Sequence, residues 1–170
     1  IMTIARISEQ KRFQSFLSVA SDPVMKDYLF VWVGGSAEKS MDEIKKDYSI
    51  PSNVLLLGDY PNASGILPYC DLFVLFSNYE GLPMTIIEAM AHKKAIVASD
   101  VGGIAELVDV TNGALIETDE DAIEAISNIL QDEEKKAKME EASFKKFSKF
   151  FTLDIMWKNY HSLYKETEKD

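Results

Sequence analysis

Little in this 170-residue chain suits a centre built from metal ligands or redox thiols. Its single cysteine, Cys70, cannot form an internal disulfide. The cysteine sits just before an apolar strand pattern and reads as a buried thiol in a reducing compartment. The two histidines, His92 and His161, lie far apart and neither has metal-ligand spacing, which argues against a zinc site. Basic residues are outnumbered, 18 Lys and Arg against 28 Asp and Glu, and the formal charge of −10 argues against a nucleic-acid partner, which needs a basic face. No apolar run approaches the roughly 20 residues of a membrane span. No leader segment is visible, so the expected location is cytoplasmic.

What is present is an ordinary globular composition, 46% hydrophobic and 27% charged, with enough chain for one sizeable core. Short apolar runs alternate with helical spacings. Strands are expected at Met2–Ala5, Tyr28–Val33, Asn53–Leu57, Leu72–Phe76, Ala95–Ala98 and Ala114–Ile116. Helices are expected at Gln10–Ala20, Ala37–Tyr48, Ser64–Cys70, from Pro83 or Met84 onward, at Ile104–Val108, and at Asp121–Leu130, Glu133–Phe147 and Thr152–Lys165. Continuous apolar runs in the strands indicate a parallel sheet covered on both faces. The expected fold is α/β, a doubly wound parallel sheet of about six strands, Rossmann-like, in a single domain over 1–170 with helices at the C-terminal end.

The most informative stretch is Ser77-Asn78-Tyr79-Glu80-Gly81-Leu82-Pro83-Met84-Thr85-Ile86-Ile87-Glu88-Ala89-Met90-Ala91. Pro83 suits the first turn of a helix. Ile86, Ile87, Ala89 and Met90 then suggest a helix buried all round, interrupted only by Glu88. A carboxylate there is costly without a partner, and the helix N-terminus is suited to an anionic ligand. Two carboxylates could also flank a scissile glycosidic bond, but a glycosidase needs them facing each other about 5 to 9 Å apart. Here both lie on one segment, and they read as two fingers on one ligand. Arg6 and Arg12 are the chain's only arginines and flank the turn after the first strand, with Lys11 beside them. The turns after the first four strands, carrying Arg6 and Lys11, Gly34, Gly58, and Glu80, should all emerge on one sheet edge, where ligands of such folds bind.

The chain begins at Ile1, directly on a strand, which suggests an excised piece of a longer protein. Leu153, Met156, Trp157, Tyr160, Leu163 and Tyr164 form an apolar stripe at helical spacing. It either packs on this domain's own sheet or, at its far end, docks on a domain absent from the chain.

With these residues in place, the chain resembles the C-terminal half of the retaining family 4 glycosyltransferases (glycosyl transferases group 1) of the two-domain GT-B fold. The similarity runs from Ala5-Arg6-Ile7 through Lys11, Gly34, Val54–Gly58 and Ser77 to the Glu80…Glu88 segment. It continues through Ala98-Ser99-Asp100-Val101-Gly102-Gly103-Ile104-Ala105-Glu106 and Gly113. The resemblance implies that Arg6 and Lys11 meet the donor diphosphate and that Glu80 lies against the donor sugar. It also implies that Gly81, Leu82, Pro83, Met84 and Thr85 form the loop on sugar hydroxyls and phosphate, that Glu88 grips the ribose, and that the turn with Gly58 and Tyr60 meets the nucleobase. It implies no metal and no cofactor beyond a UDP-sugar or GDP-sugar donor substrate, and a carbohydrate or lipid-linked acceptor bound with the help of a separate N-terminal acceptor domain. The intact enzyme would be cytoplasmic or peripheral at the inner face of the cytoplasmic membrane, working in polysaccharide, lipopolysaccharide or glycolipid synthesis. Two departures stand out. Arg12 occupies a place where the family often has glycine or asparagine, as a phosphate contact or a solvated residue. His92-Lys93-Lys94-Ala95 replaces a common Gly-x-Pro turn.

The expected chemistry is sugar transfer with retention, in which Arg6, Lys11 and Glu80 serve the reacting groups. Rival classes remain in view. A nicotinamide-dependent oxidoreductase needs Gly-x-Gly-x-x-Gly after the first strand, where this chain has Arg6-Ile7-Ser8-Glu9-Gln10-Lys11. A non-catalytic nucleotide-sugar-binding module, or an epimerase or phosphorylase on the same architecture, would share the site pattern.

Overall fold

In the computed structural model, which describes residues 1–167, six parallel strands form one sheet in the order β3-β2-β1-β4-β5-β6. The strands are β1 (Met2–Ile4), β2 (Phe30–Val33), β3 (Val54–Gly58), β4 (Phe73–Leu75), β5 (Ile96–Ser99) and β6 (Gly113–Ile116). The helices are α1 (Phe13–Ser21), α2 (Met41–Asp47), α3 (Met84–Ala91), α4 (Ile104–Leu107), α5 (Asp119–Leu130), α6 (Glu133–Phe150) and α7 (Leu153–Thr167), with 3₁₀ turns at Pro23–Met25 and Ala63–Tyr69. Met2 pairs with Val31 on one side and with Phe73 on the other. The first strand therefore lies inside the sheet. This is the doubly wound Rossmann-like architecture expected from the alternating pattern.

Burial follows position in the sheet. β4 and β5 are buried at every residue, as parallel strands with both faces covered require. β3 is an edge strand and departs from that expectation: Leu55 and Leu57 are exposed, and only alternate residues face the core. Trp32, on β2, is packed edge-on by Phe13 and Phe16 from α1, which fixes α1 over that part of the sheet.

Local chemistry accounts for the shifted boundaries. α2 starts at Met41 and not at Ala37, because Ser40 and Glu43 form a reciprocal capping box. Thr118 and Asp121 do the same for α5, which starts earlier than expected. Gln10, Lys11 and Arg12 lie in a turn before α1, with Arg12 in the left-handed region at φ 43°. The Ser64–Cys70 stretch is 3₁₀ and contains Pro68, which cannot donate an α-helical hydrogen bond. Asp22 caps the Pro23–Met25 turn, which the sequence reading missed.

Two expectations about helix faces need correction. α3 is not buried all round. Its Ile86, Ile87, Ala89 and Met90 are buried, but Met84 is exposed, and Thr85, Glu88 and His92 are partly so. α3 touches α6, β4 and the 3₁₀ segment, and those neighbours cover only its apolar side. The stripe on α7 is not packed on this domain's sheet: Leu153, Met156, Trp157, Tyr160, Leu163 and Tyr164 are all exposed.

Candidate functional site

β1 and β4 are neighbours, yet the chain leaves them in opposite directions along the sheet, β1 toward β2 and β4 toward β5. Such a reversal parts the following loops and leaves a crevice at the strands' C-terminal ends, the usual ligand position in open parallel sheets. Here the two loops are stitched together. Asn78 donates its backbone N–H to Gln10 O at 2.8 Å and its side-chain amide to Glu9 O at 3.0 Å. Gln10 donates its side-chain amide to Tyr79 O at 3.0 Å.

That stitching brings Lys11, from the loop after β1, onto Glu80, from the loop after β4, as an ion pair between Lys11 Nζ and Glu80 Oε1. Ser77 Oγ donates to the same carboxylate oxygen at 2.6 Å. Ser77 is fixed in turn by its own N–H, which donates to Ser99 Oγ at the end of β5 at 3.0 Å. The backbone beneath Glu80 is set by glycines. A Cβ on Gly102, which has φ +54°, would lie 1.9 Å from Glu80 O, and one on Gly103 would lie 2.2 Å from Gly81 O. Only glycine permits both the left-handed angle and the close approach.

α3 begins directly beyond this loop. Pro83 is its N-cap and Met84 its first helical residue, as the sequence indicates. The amides of Gly81, Leu82, Met84 and Thr85 have no backbone or side-chain acceptor among the described residues. Pro83 has no N–H to offer, so the run from Gly81 to Thr85 presents four amides. Gly81, Leu82 and Met84 are exposed, Thr85 is partly buried and Pro83 is buried. Glu88, one turn further on, is half-buried, and its carboxylate has no hydrogen-bond or ion-pair partner among the described residues. Burial pushes its pKa above the usual carboxylate value, and nearby His92 partly opposes the shift.

The other site candidates are placed as follows. Arg6 follows β1, is exposed, and makes no ion pair among the described residues. Arg12, next to Lys11, turns instead to Asp119 at the start of α5, at 2.9 Å, and to Ser15. Its guanidinium is engaged within the domain, with the side chain still 21% exposed. Gly58 ends β3 at φ +66° and accepts from Gly34 N–H at 2.7 Å, while Tyr60 stands exposed just beyond. β3 is separated from β4 by two strands, so this turn lies on the same sheet edge but not in the Lys11–Glu80 contact. Lys93 meets the turn geometry that a glycine would otherwise supply, at φ 55°.

Three features escaped the sequence reading. The Ser77–Glu80 contact, with Ser99 behind it, is signalled only by an i, i+3 spacing and by the place of both serines in the quoted motifs. Lys94 is a buried cation whose ammonium donates to the carbonyls of Cys70 and Pro68. The roughly 660 Å³ cavity between β6, α5 and α6 is lined by none of the crevice residues. Among the described residues, no three His, Cys, Asp or Glu gather as a metal site, and no helix is long and apolar enough to cross a membrane.

The profile of one family, glycosyl transferases group 1, matches residues 1–146. The chain is 35% identical over 123 residues, 72% of its length, to the O-antigen biosynthesis glycosyltransferase WbnH of Escherichia coli. It is 34% identical over 137 residues, 78% of its length, to the N,N'-diacetylbacillosaminyl-diphospho-undecaprenol alpha-1,3-N-acetylgalactosaminyltransferase of Campylobacter jejuni. It spans only 35% and 36% of those two proteins. Among solved structures, TarM of Staphylococcus aureus, in a complex that includes UDP, superposes with a TM-score of 0.81 at 26% identity, covering 95% of this chain and 35% of TarM. The C-terminal domain of the glycosyl transferase group 1 protein LpcC of Francisella tularensis superposes with a TM-score of 0.75 at 22% identity, covering 89% of this chain and 86% of that domain.

Proposed function

Because this chain belongs to the glycosyl transferases group 1 family and has the Rossmann-like fold of the C-terminal half of GT-B enzymes, we propose that it is the donor-binding domain of a retaining glycosyltransferase. The intact enzyme transfers a sugar from a nucleotide-diphosphate donor, a UDP-sugar or GDP-sugar, to an acceptor hydroxyl in polysaccharide, lipopolysaccharide or glycolipid synthesis. The observation that carries this reading is the meeting of Lys11 and Glu80 at the topological switch point, directly before the free amides that open α3.

The roles follow from the chemistry of each group. Breaking the bond between the sugar's anomeric carbon and the diphosphate oxygen leaves negative charge on the phosphate. Arg6, Lys11 and the amides from Gly81 to Thr85 are suited to stabilise that charge, each well-placed donor contributing about 3 kcal/mol. The acceptor hydroxyl attacks the face from which the diphosphate departs, and its proton passes to the leaving phosphate oxygen. Glu80 orients the sugar, Glu88 accepts from the ribose hydroxyls, and the Gly58–Tyr60 turn meets the base. This scheme uses no metal. A sugar–enzyme adduct trapped in the intact enzyme by mass spectrometry would overturn it.

The acceptor side belongs to a separate N-terminal domain. The unburied stripe on α7, with Leu153 77% and Trp157 68% exposed, is the surface here best suited to pack against it. The domain alone is accordingly expected to bind nucleotide weakly and turn over little. Calorimetric titration with UDP, GDP and ADP tests the reading. One of them should bind, and Glu88→Ala should weaken that binding about tenfold, the worth of a pair of ribose hydrogen bonds. The donor-site reading fails if none binds and Glu88→Ala changes nothing.

A further inference from the structure

Glu80 presents its two carboxylate oxygens to different surroundings. Oε1 receives both the Lys11 ammonium and the Ser77 hydroxyl, whereas Oε2 has no partner among the described residues. The Glu80 side chain is 7% exposed and that of Lys11 15%, so water screens the pair far less than it would on an open surface. Ser77 is buried and held by buried Ser99, and Gly102 and Gly103 seat the Glu80 backbone from below. The carboxylate is thus aimed by a rigid support.

We propose that this clamp makes the crevice discriminate between a diphosphate that carries a sugar and one that does not, with Ser77 as the positioning residue that holds Glu80 on Lys11. The inference rests on the donor-site reading above. A diphosphate entering the crevice must draw on an ammonium whose charge Glu80 already meets, and it must approach the Glu80 carboxylate itself. Both effects weaken the binding of any diphosphate. A donor with its sugar in place brings hydroxyls that can donate to the free Oε2, which offsets the cost. The bare nucleoside diphosphate left after transfer brings none. Glu80 therefore holds the donor and expels the product. Without the Ser77 hydroxyl the carboxylate is held by Lys11 alone, so its aim loosens and the expulsion weakens.

Calorimetry on the native protein, Glu80→Gln, Ser77→Ala and the double variant tests this, using whichever of UDP, GDP and ADP the native protein binds best. Removing the charge at Glu80 should tighten bare-nucleotide binding about fivefold, the scale of a partly shielded ion pair. Ser77→Ala should tighten it about twofold and should add nothing in the Glu80→Gln background, a dependence that loss of fold cannot mimic. Thermal melting of each variant confirms that it is folded. A Glu80→Gln protein that binds the nucleotide no more tightly than the native one overturns the proposal while the donor site stands. Absence of nucleotide binding by native protein and variants alike overturns both. A Ser77→Ala effect that persists in the Glu80→Gln background removes Ser77 from the device.

Discussion

The switch-point crevice and the C-terminal helices treat polarity in opposite ways. In the crevice, Glu80 and Lys11 are shielded by the fold and pair with each other, with Ser77 and Ser99 behind them. On α7, Met156 and Trp157 lie in the open. A buried charge persists only where partners satisfy it, and an apolar side chain stays exposed where its own domain offers no surface to cover it. At these two places burial follows the availability of a partner and not hydropathy alone. α6 lies between the extremes: Lys146 ties it to Asp109 at 2.9 Å, and Ser143 Oγ donates to Lys94 O at 2.7 Å.

The contrast is sharpest at the crevice glycines. Gly102→Ala places a Cβ against Glu80 O on a backbone at φ +54°. It should cost about 3 kcal/mol in urea denaturation and abolish nucleotide binding with it.

Glu88→Gln should separate stability from binding. Burial raises the Glu88 pKa above its ordinary value, so the ionised form costs the fold at neutral pH, and the cost fades as pH falls through the folded pKa. The variant should therefore raise the urea midpoint at pH 7, gain little near pH 4, and bind nucleotide about tenfold more weakly.

Asp109 behaves in the opposite sense. The Thr111 hydroxyl, with help from Lys146, holds its pKa down to about 2 from 3.8. Its contribution is full above the ordinary value and is lost as pH falls through 2. The carboxylate is 46% exposed, so after allowing for screening Asp109→Asn should cost only about 0.5 kcal/mol at pH 7, a cost that vanishes below pH 2, read by pH-dependent urea melts.

The smallest effect is expected at α7. Met156→Ser with Trp157→Ser should shift the stability of this domain by less than about 0.5 kcal/mol, as exposed substitutions do. A larger loss in urea denaturation would mean that α7 packs on this domain after all.

Elements whose signal is local could be read from the chain. The apolar runs of β4 and β5, Pro83 at the start of α3, and the convergence of Lys11 and Glu80 on one sheet edge all follow from residue type and spacing. Features fixed by distant neighbours could not. Nothing around Arg12 announces Asp119, 107 residues on, and the exposure of Leu55 and Leu57 depends on β3 being the sheet's edge. Glu88 stands out in the sequence as a carboxylate among apolar helical residues. How much of α3 would be covered around it depended on where α6 packs.

The strand order also bears on how the molecule is made. β1 precedes the other five strands along this chain but occupies the middle of the sheet, where one flank takes β2 and the other waits for β4. The chain up to Gly58 can assemble a three-stranded unit by short crossovers, whereas joining β1 to Phe73 closes a loop of some 70 residues, a slow, non-local step. The crevice is the seam left by that joining. Lys11 is contributed by one side of the seam and Glu80 by the other, so the ion pair cannot form until the two halves of the sheet dock, and its formation would report that docking.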